Sequence, residues 1–476
     1  MFPEDATTRL DSHEAKASSA LFKSPPSSIK AAARAAQEPG MISLGAGAPS
    51  ASYFPFKEIE VTMSNPPGYP GTTEAAESVI HIAKYDFEPG VSDYSLDVAL
   101  NYGQGSGAAQ LLRFVTEHTE LLHDPPYSDW GCCLTVGSTS AWDSTLRMFC
   151  EKGDYIIVED YAFSSALETA SALGLRTLPV AMDEQGLIPE VLDDVLSEWD
   201  GMKRGARKPF LLYMVPTGQN PTGTTQTLER RKAIYATARK HNLYIVEDEP
   251  YYYLQLSPYT PSEHGSNASK PSKLIPSYLS LDVDGRVLRM DSLSKVLAPG
   301  SRVGWVTASE QIIEKFIRQN ETSSQHPSGF SQVIIFKLLN HHWGHLGFYK
   351  WLENIQAQYT WRRDVFASAC DEFMPKKVAH WAVSRAGMFQ WIEVDWKSHP
   401  SYKAGAGHAA IQQSIFDCAV KEKVLVTPGS CFWSTQGVTE DRMFFRATFA
   451  TASRTDLREA VRRFAIALER EFAVEK

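Results

Sequence analysis

The stretch V-L-R-M-D-S-L-S-K-V-L-A-P-G-S-R-V-G-W-V-T-A, residues 287–308, opens and closes on short apolar runs and encloses a polar loop containing Lys295. The runs 287–291 and 302–308 are too short and too β-branched for buried helices, and read as strands. Runs 155–159, 210–216 and 244–248 have the same character. Between them lie segments with helical spacing, 138–150 and 228–241. Alternating strands and helices imply an α/β fold with a mainly parallel sheet covered on both faces. Ligands of such sheets collect beyond the carboxyl ends of the strands, so chemistry is expected just after the apolar runs.

Downstream of about residue 345 the texture changes. A long helical stretch (351–373) is followed by apolar segment 381–395, a helix at 409–421, the runs 424–429 and 443–450, and an amphipathic helix at 456–472. That α+β layout predicts a second, smaller unit. At 476 residues the chain exceeds what one core usually supports. The expected division is an N-terminal arm (1–60), a large domain (61–345) and a small one (346–476). Two polar, Pro/Gly/Ser-rich stretches, 65–95 and 257–277, are expected to be surface insertions.

A formal charge of -9, with both signs interspersed, excludes an electrostatic footprint for nucleic acid or anionic membrane. An anionic ligand must therefore be caught by local groups. The N-terminus carries acids from its start, and no stretch approaches the roughly 18 apolar residues of a membrane span. The expectation is a soluble, cytoplasmic protein. Six cysteines scattered without a CxxC pair predict reduced core thiols and no metal site.

Five motifs carry chemistry. A lysine is ordinarily a solvated charge, but Lys295 directly follows a buried strand, with Ser292, Ser294 and Arg302 on the same loop. Hydroxyls and a guanidinium converging there suit a dianion, and the amine can form an imine with an aldehyde. Three consecutive acids, Glu247, Asp248 and Glu249, precede Pro250 and Tyr251 at a strand end, where a solvated turn is the plain alternative. P-T-G-Q-N-P-T-G (216–223) is a turn that sets Asn220 between glutamine and proline. Gly137, Ser138 and Thr139 sit at a strand-to-helix turn, where backbone N–H groups and hydroxyls can cradle a phosphate. Arg446, inside the apolar run 443–450, must meet an anion, either a structural acid or a ligand. The glycine-rich segment 99–107 follows no strand and lacks the last glycine of a dinucleotide fingerprint, so that reading is rejected.

In this order and at this spacing the motifs resemble those of fold-type I, pyridoxal-5′-phosphate (PLP)-dependent aminotransferases, from about residue 41 to the C-terminus. The resemblance implies a Schiff base on Lys295, with Ser138, Thr139, Ser292, Ser294 and Arg302 around the phosphate. It implies Asp248 on the pyridine nitrogen, Asn220 and Tyr251 at the ring oxygen, and Phe163 (or Tyr161, if the alignment slips) stacked on the ring. Arg446 would grip the substrate α-carboxylate, with Gly47 and Asn220 also beside the substrate. Tyr102 would reach across a homodimer with shared active sites to the partner's phosphate. The branch resembled is that of aromatic, kynurenine and 2-aminoadipate aminotransferases, and the insertions resemble its fungal members. This implies transamination of an aromatic L-amino acid with a 2-oxo acid such as 2-oxoglutarate. Nearby aromatics such as Tyr53, Phe54 and Phe56 fit that preference. A kynurenine or 2-aminoadipate enzyme is the runner-up. The distant alternatives are a PLP-sensing transcription regulator, which would need a helix-turn-helix module, and a PLP lyase or decarboxylase, where a carboxylate gripped by Arg446 disfavours decarboxylation.

Overall fold

The computed structural model describes residues 42, 44, 45, 47–65, 77–85, 94–259, 274–434 and 441–473. At its centre lies a seven-stranded sheet. Its strands are β1 (Trp130–Thr135), β2 (Tyr155–Glu159), β3 (Arg176–Val180), β4 (Leu211–Met214), β5 (Tyr244–Asp248), β6 (Val287–Ser292) and β7 (Gly304–Ser309). Their spatial order is β1-β7-β6-β5-β4-β2-β3. β7 runs antiparallel to both neighbours, β6 and β1; the remaining pairs are parallel. Every residue of β4, β5, β6 and β7 is buried, as expected of strands covered on both faces.

Helices α1 (Ala109–His123), α2 (Ser138–Phe149), α3 (Ser164–Ala172), α4 (Leu228–His241) and α5 (Glu310–Glu321) accompany this sheet. Local chemistry sets the ends of α4: the Thr227 side chain accepts from Arg230 N, and Asn242 takes a left-handed conformation at the other end. The later part of the chain supplies α6 (Gly344–Phe373), β8 (Ala379–His380), β9 (Phe389–Val394), α7 (His408–Lys421), β10 (Thr427–Pro428), β11 (Met443–Thr448) and α8 (Arg454–Phe472). Its four strands form an antiparallel sheet of order β8-β9-β11-β10. This is the α/β, fold-type I arrangement that the sequence implies.

Several details depart from expectation. Residues 65–95 are not wholly insertion: Glu77–Ala83 forms a strand paired antiparallel with Glu58–Ser64. Its alternating exposed and part-buried pattern is that of a half-solvated ribbon, with Glu77, Val79 and His81 at outer positions and Ile80 and Ile82 inward. The helix expected from 351 starts at Gly344, after a π-helical turn over Lys337–Trp343. Strand β3 and helices α1, α3 and α5 were not read, and β1 was read only as the strand end before the turn at Gly137. Cys431 is exposed, against the expectation of core thiols. Residues 1–41 of the expected arm and 260–273 of the second insertion lie outside the described residues. Among the described residues no helix is long and apolar enough to cross a membrane.

Candidate active site

The candidate residues gather at the carboxyl ends of β5 and β6, where the parallel register pairs Met290 with Asp248. Strand alternation sends Asp248 to one face and its two acidic neighbours to the other. Glu247 accepts from the backbone N–H groups of Tyr278 and Leu279 and faces Arg231 and Arg289 at 3.6 and 3.3 Å. Glu249 lies 3.6 Å from Arg231. Among the described residues no arginine pairs with Asp248, and the positive charge that acts on it is that of Lys295. Its Oδ2 accepts from the Tyr213 hydroxyl at 2.8 Å, and its buried Oδ1 has no hydrogen-bond partner. Burial pushes its carboxyl up to about 6, opposed by Tyr213, by the Ser138 hydroxyl and by the charge of Lys295. Ser138 Oγ is itself buried without a hydrogen bond of ordinary geometry.

The lysine loop leaves β6 beside this carboxylate. Ser292 Oγ donates to Ser294 Oγ at 2.9 Å, and Ser294 N donates to Ser292 Oγ at 3.2 Å. Arg302, in a left-handed conformation (φ 52°), returns its guanidinium to the loop: Nη1 donates to Ser294 Oγ at 3.3 Å and Nη2 to Val136 O at 2.8 Å. The Val136 contact brings it against Gly137, which caps α2 at φ 85°. A Cβ on Gly137 would stand 2.4 Å from Arg302 Nη2, so only glycine lets the guanidinium meet the helix N-terminus. Half-buried Lys295 is held below the ordinary lysine range by burial first, then by Arg302, with Asp248 opposing.

The antiparallel sheet supplies the other half. Arg446 on β11 is opposite Trp391 of β9 and donates through Nη1 to Asn220 Oδ1 at 2.8 Å. Its guanidinium lies over the rings of Phe389 and Phe432, 4.5 and 4.6 Å from their centroids. Among the described residues no carboxylate pairs with it; the structural acid that could have explained it is absent. Tyr251 is buried with its ring edge-on to Phe389 at 5.8 Å. Its phenol is pushed up by burial and by Asp248, while Arg446 and Asn220 act the other way.

A family model for class I and II aminotransferases matches residues 94–464. The chain belongs to this family. An aromatic amino acid aminotransferase of Schizosaccharomyces pombe is 42% identical, covering 97% of this chain and 98% of its own. Among solved structures, aminotransferase Aro8 from Candida albicans matches with a TM-score of 0.90 at 38% identity, covering 97% of this chain and 98% of its own. LysN, an α-aminoadipate aminotransferase from Thermus thermophilus complexed with N-(5′-phosphopyridoxyl)-L-leucine, matches with a TM-score of 0.65 at 26% identity, over 79% of this chain and 85% of its own.

In this aminotransferase, then, Lys295, Asp248, Tyr251, Asn220, Ser138, Ser292, Ser294, Arg302 and Arg446 converge from five segments. Other expected site residues are placed differently. Thr139 is exposed one residue into α2. Phe163 caps α3, half-buried against the core, whereas Tyr161 lies edge-on to Trp391 and Phe444 at 5.3 and 5.5 Å. Among the described residues nothing lies within 4 Å of a Cβ added at Gly47. Tyr102 is 74% exposed on this chain. Tyr53 and Phe56 are exposed as well. Tyr213 is the residue sequence reasoning missed. Its signal was a lone phenol inside the buried run 210–216, which must find a polar partner once dry.

Proposed function

We propose that this aminotransferase moves the amino group of an aromatic L-amino acid to a 2-oxo acid such as 2-oxoglutarate, using PLP held on Lys295. The observation that carries the proposal is Arg446: a part-buried guanidinium held by an amide and two aromatic faces, without an acid, beside the loop of Asn220. Such a cation invites a bidentate carboxylate from outside the chain. The residues present fit the cofactor. Asp248 Oδ1 and Ser138 Oγ are buried with no hydrogen bond of ordinary geometry among the described residues, and the cradle formed by Gly137, Ser292, Ser294 and Arg302 suits a phosphate dianion. The phosphopyridoxyl ligand of the Thermus relative supports the same reading.

When bound, PLP supplies an electron sink for the pair left as the substrate Cα–H bond breaks. Asp248 would hold a proton on the ring nitrogen, and Asn220 and Tyr251 would donate toward the ring oxygen. Lys295 Nζ, freed on substrate binding and kept below its usual range, would take and return the Cα proton. Arg446 would orient the α-carboxylate. Phe163 is proposed on the ring face, Thr139 at the phosphate and Gly47 beside the substrate. Tyr102, exposed on a single chain, is proposed to complete the partner's site in a homodimer. We likewise assign 61–345 to a large domain and 346–476 to a small one.

An aromatic donor is supported by the rings around Arg446, where Trp391 stacks on Phe444 with centroids 5.0 Å apart, and by the name of the fission-yeast relative. With 2-oxoglutarate as acceptor, kcat/KM for phenylalanine, tyrosine or tryptophan is expected to exceed that for 2-aminoadipate, glutamate or alanine by about tenfold or more. A preference for 2-aminoadipate would transfer the reading to that substrate, and no oxo-acid product from any donor would overturn it.

Cofactor affinity should depend on pH. Asp248, pushed up to about 6, must be ionised to hold the ring-nitrogen proton, so affinity should rise as pH increases through that value and fall below it. Fluorescence titration of the apo-enzyme with PLP between about pH 5 and pH 8 reads this step. Asp248→Asn should flatten it; a step surviving in that variant would place the titration elsewhere.

A further inference from the structure

The loop that carries Asn220 is tied at two points to buried glutamates that the chemistry above does not use. Thr217, fully buried, donates Oγ1 to Glu249 Oε1 at 2.9 Å and accepts from Arg231 Nη2 at 2.8 Å. Arg231, reaching in from α4, also donates to the carbonyls of Pro216, Gln226 and Pro276 at 3.5, 3.4 and 3.2 Å. It thus clasps both ends of the loop. Gln219, also buried, donates Nε2 to Glu159 Oε2 at 3.1 Å and to Tyr161 O at 2.6 Å. Its Oε1 accepts from the backbone N–H and hydroxyl of Thr222 at 2.8 and 2.7 Å. Gly218, between these two side chains, has φ 56° and backs onto Gly387, whose N would lie 2.5 Å from an added Cβ.

Glu249 directly follows β5 and Glu159 ends β2, so the loop is lashed to two strand ends. Both carboxyls are buried, and one oxygen of each, Glu249 Oε2 and Glu159 Oε1, has no hydrogen-bond partner among the described residues. Dry, half-satisfied acids are costly to a fold, and here what they bond outward is the loop. Asn220 follows Gln219 immediately, and its Oδ1 accepts from Arg446. With the amide oxygen so held, only the NH2 group of Asn220 is left to donate elsewhere.

We propose that Thr217 and Gln219 are positioning residues for transamination: their bonds to Glu249 and Glu159 fix the carboxamide of Asn220, oxygen toward the substrate-carboxylate arginine and N–H toward the cofactor. The proposal rests on the function stated above. Thr217→Val keeps the shape and removes the hydroxyl, whereas Thr217→Ser keeps the hydroxyl. Hydrogen exchange of the peptide spanning 216–223, read by mass spectrometry on the holoenzyme, should quicken by about tenfold or more in T217V, which removes both the bond to Glu249 and the bond from Arg231. KM for the amino acid should rise by about as much, with kcat falling less, and the pH midpoint of the visible absorption band should move upward. T217S should restore all three. Unchanged exchange, or faster exchange with KM and band unmoved, overturns the proposal, as does a T217S protein as impaired as T217V. If T217V does not fold, Gln219→Met puts the second tie to the same readings. A wild-type protein lacking transaminase activity would sink the functional reading separately, while the exchange arm would still decide whether the ties hold the loop.

Discussion

Replacing Lys295 by alanine is expected to lower turnover by roughly four orders of magnitude or more and to remove the visible absorption of lysine-bound cofactor. One amine has two duties in the proposed reaction, covalent anchor and proton carrier, so its removal stops both. Its surroundings suit each duty. Burial and the Arg302 guanidinium favour the neutral amine, which is the form that attacks an aldehyde or accepts a proton, while Asp248 limits the shift. The variant should still fold, because burial and Arg302 outweigh the attraction of Asp248 for this half-buried cation, so alanine loses little. Thermal unfolding of the apo-protein should therefore move by no more than about a few degrees. The spectrum and steady-state rates of the purified variant check the prediction, and ordinary activity in it would end the functional reading.

Arg446→Met should raise KM for amino-acid substrates by about a hundredfold or more, the scale expected when one partner of a desolvated, hydrogen-bonded charge pair is removed. Methionine can still fill the space between Phe389 and Phe432, so the loss should fall on binding more than on folding. Arg446→Lys should recover only part of it, since an ammonium cannot grip a carboxylate with two parallel bonds. Amine substrates that lack the carboxylate supply the control, because their KM should not depend on this residue. A KM for amino acids unchanged in Arg446→Met would make the arginine structural.

The legibility of this molecule followed the range of the interactions involved. Runs 155–159, 244–248 and the helix 228–241 were read to the residue, because burial on both faces and capping by Thr227 and Asn242 are local properties. The half-solvated strand Glu77–Ala83 was not, since polar residues on one face of a ribbon resemble a loop until its partner strand is known. Strand direction was equally silent: β7 has the same apolar texture as β6 yet runs against it. Among the acids at the end of β5, choosing Asp248 needed the family pattern, and the fold supplies a physical counterpart. Glu247 and Glu249 face arginines, and Asp248 faces a phenol and a lysine.

By itself the sequence determined which short segments become strands and helices and which loops carry a lysine, a carboxylate, an amide and an arginine; such preferences act between neighbours in the chain. Only the tertiary structure decided that Arg446 meets Asn220 and no acid, that Tyr213 holds Asp248, and that Arg302 closes over Gly137. These contacts join residues far apart in the chain, and hydrogen bonds of that kind exist only after packing has excluded the water that would otherwise satisfy each group.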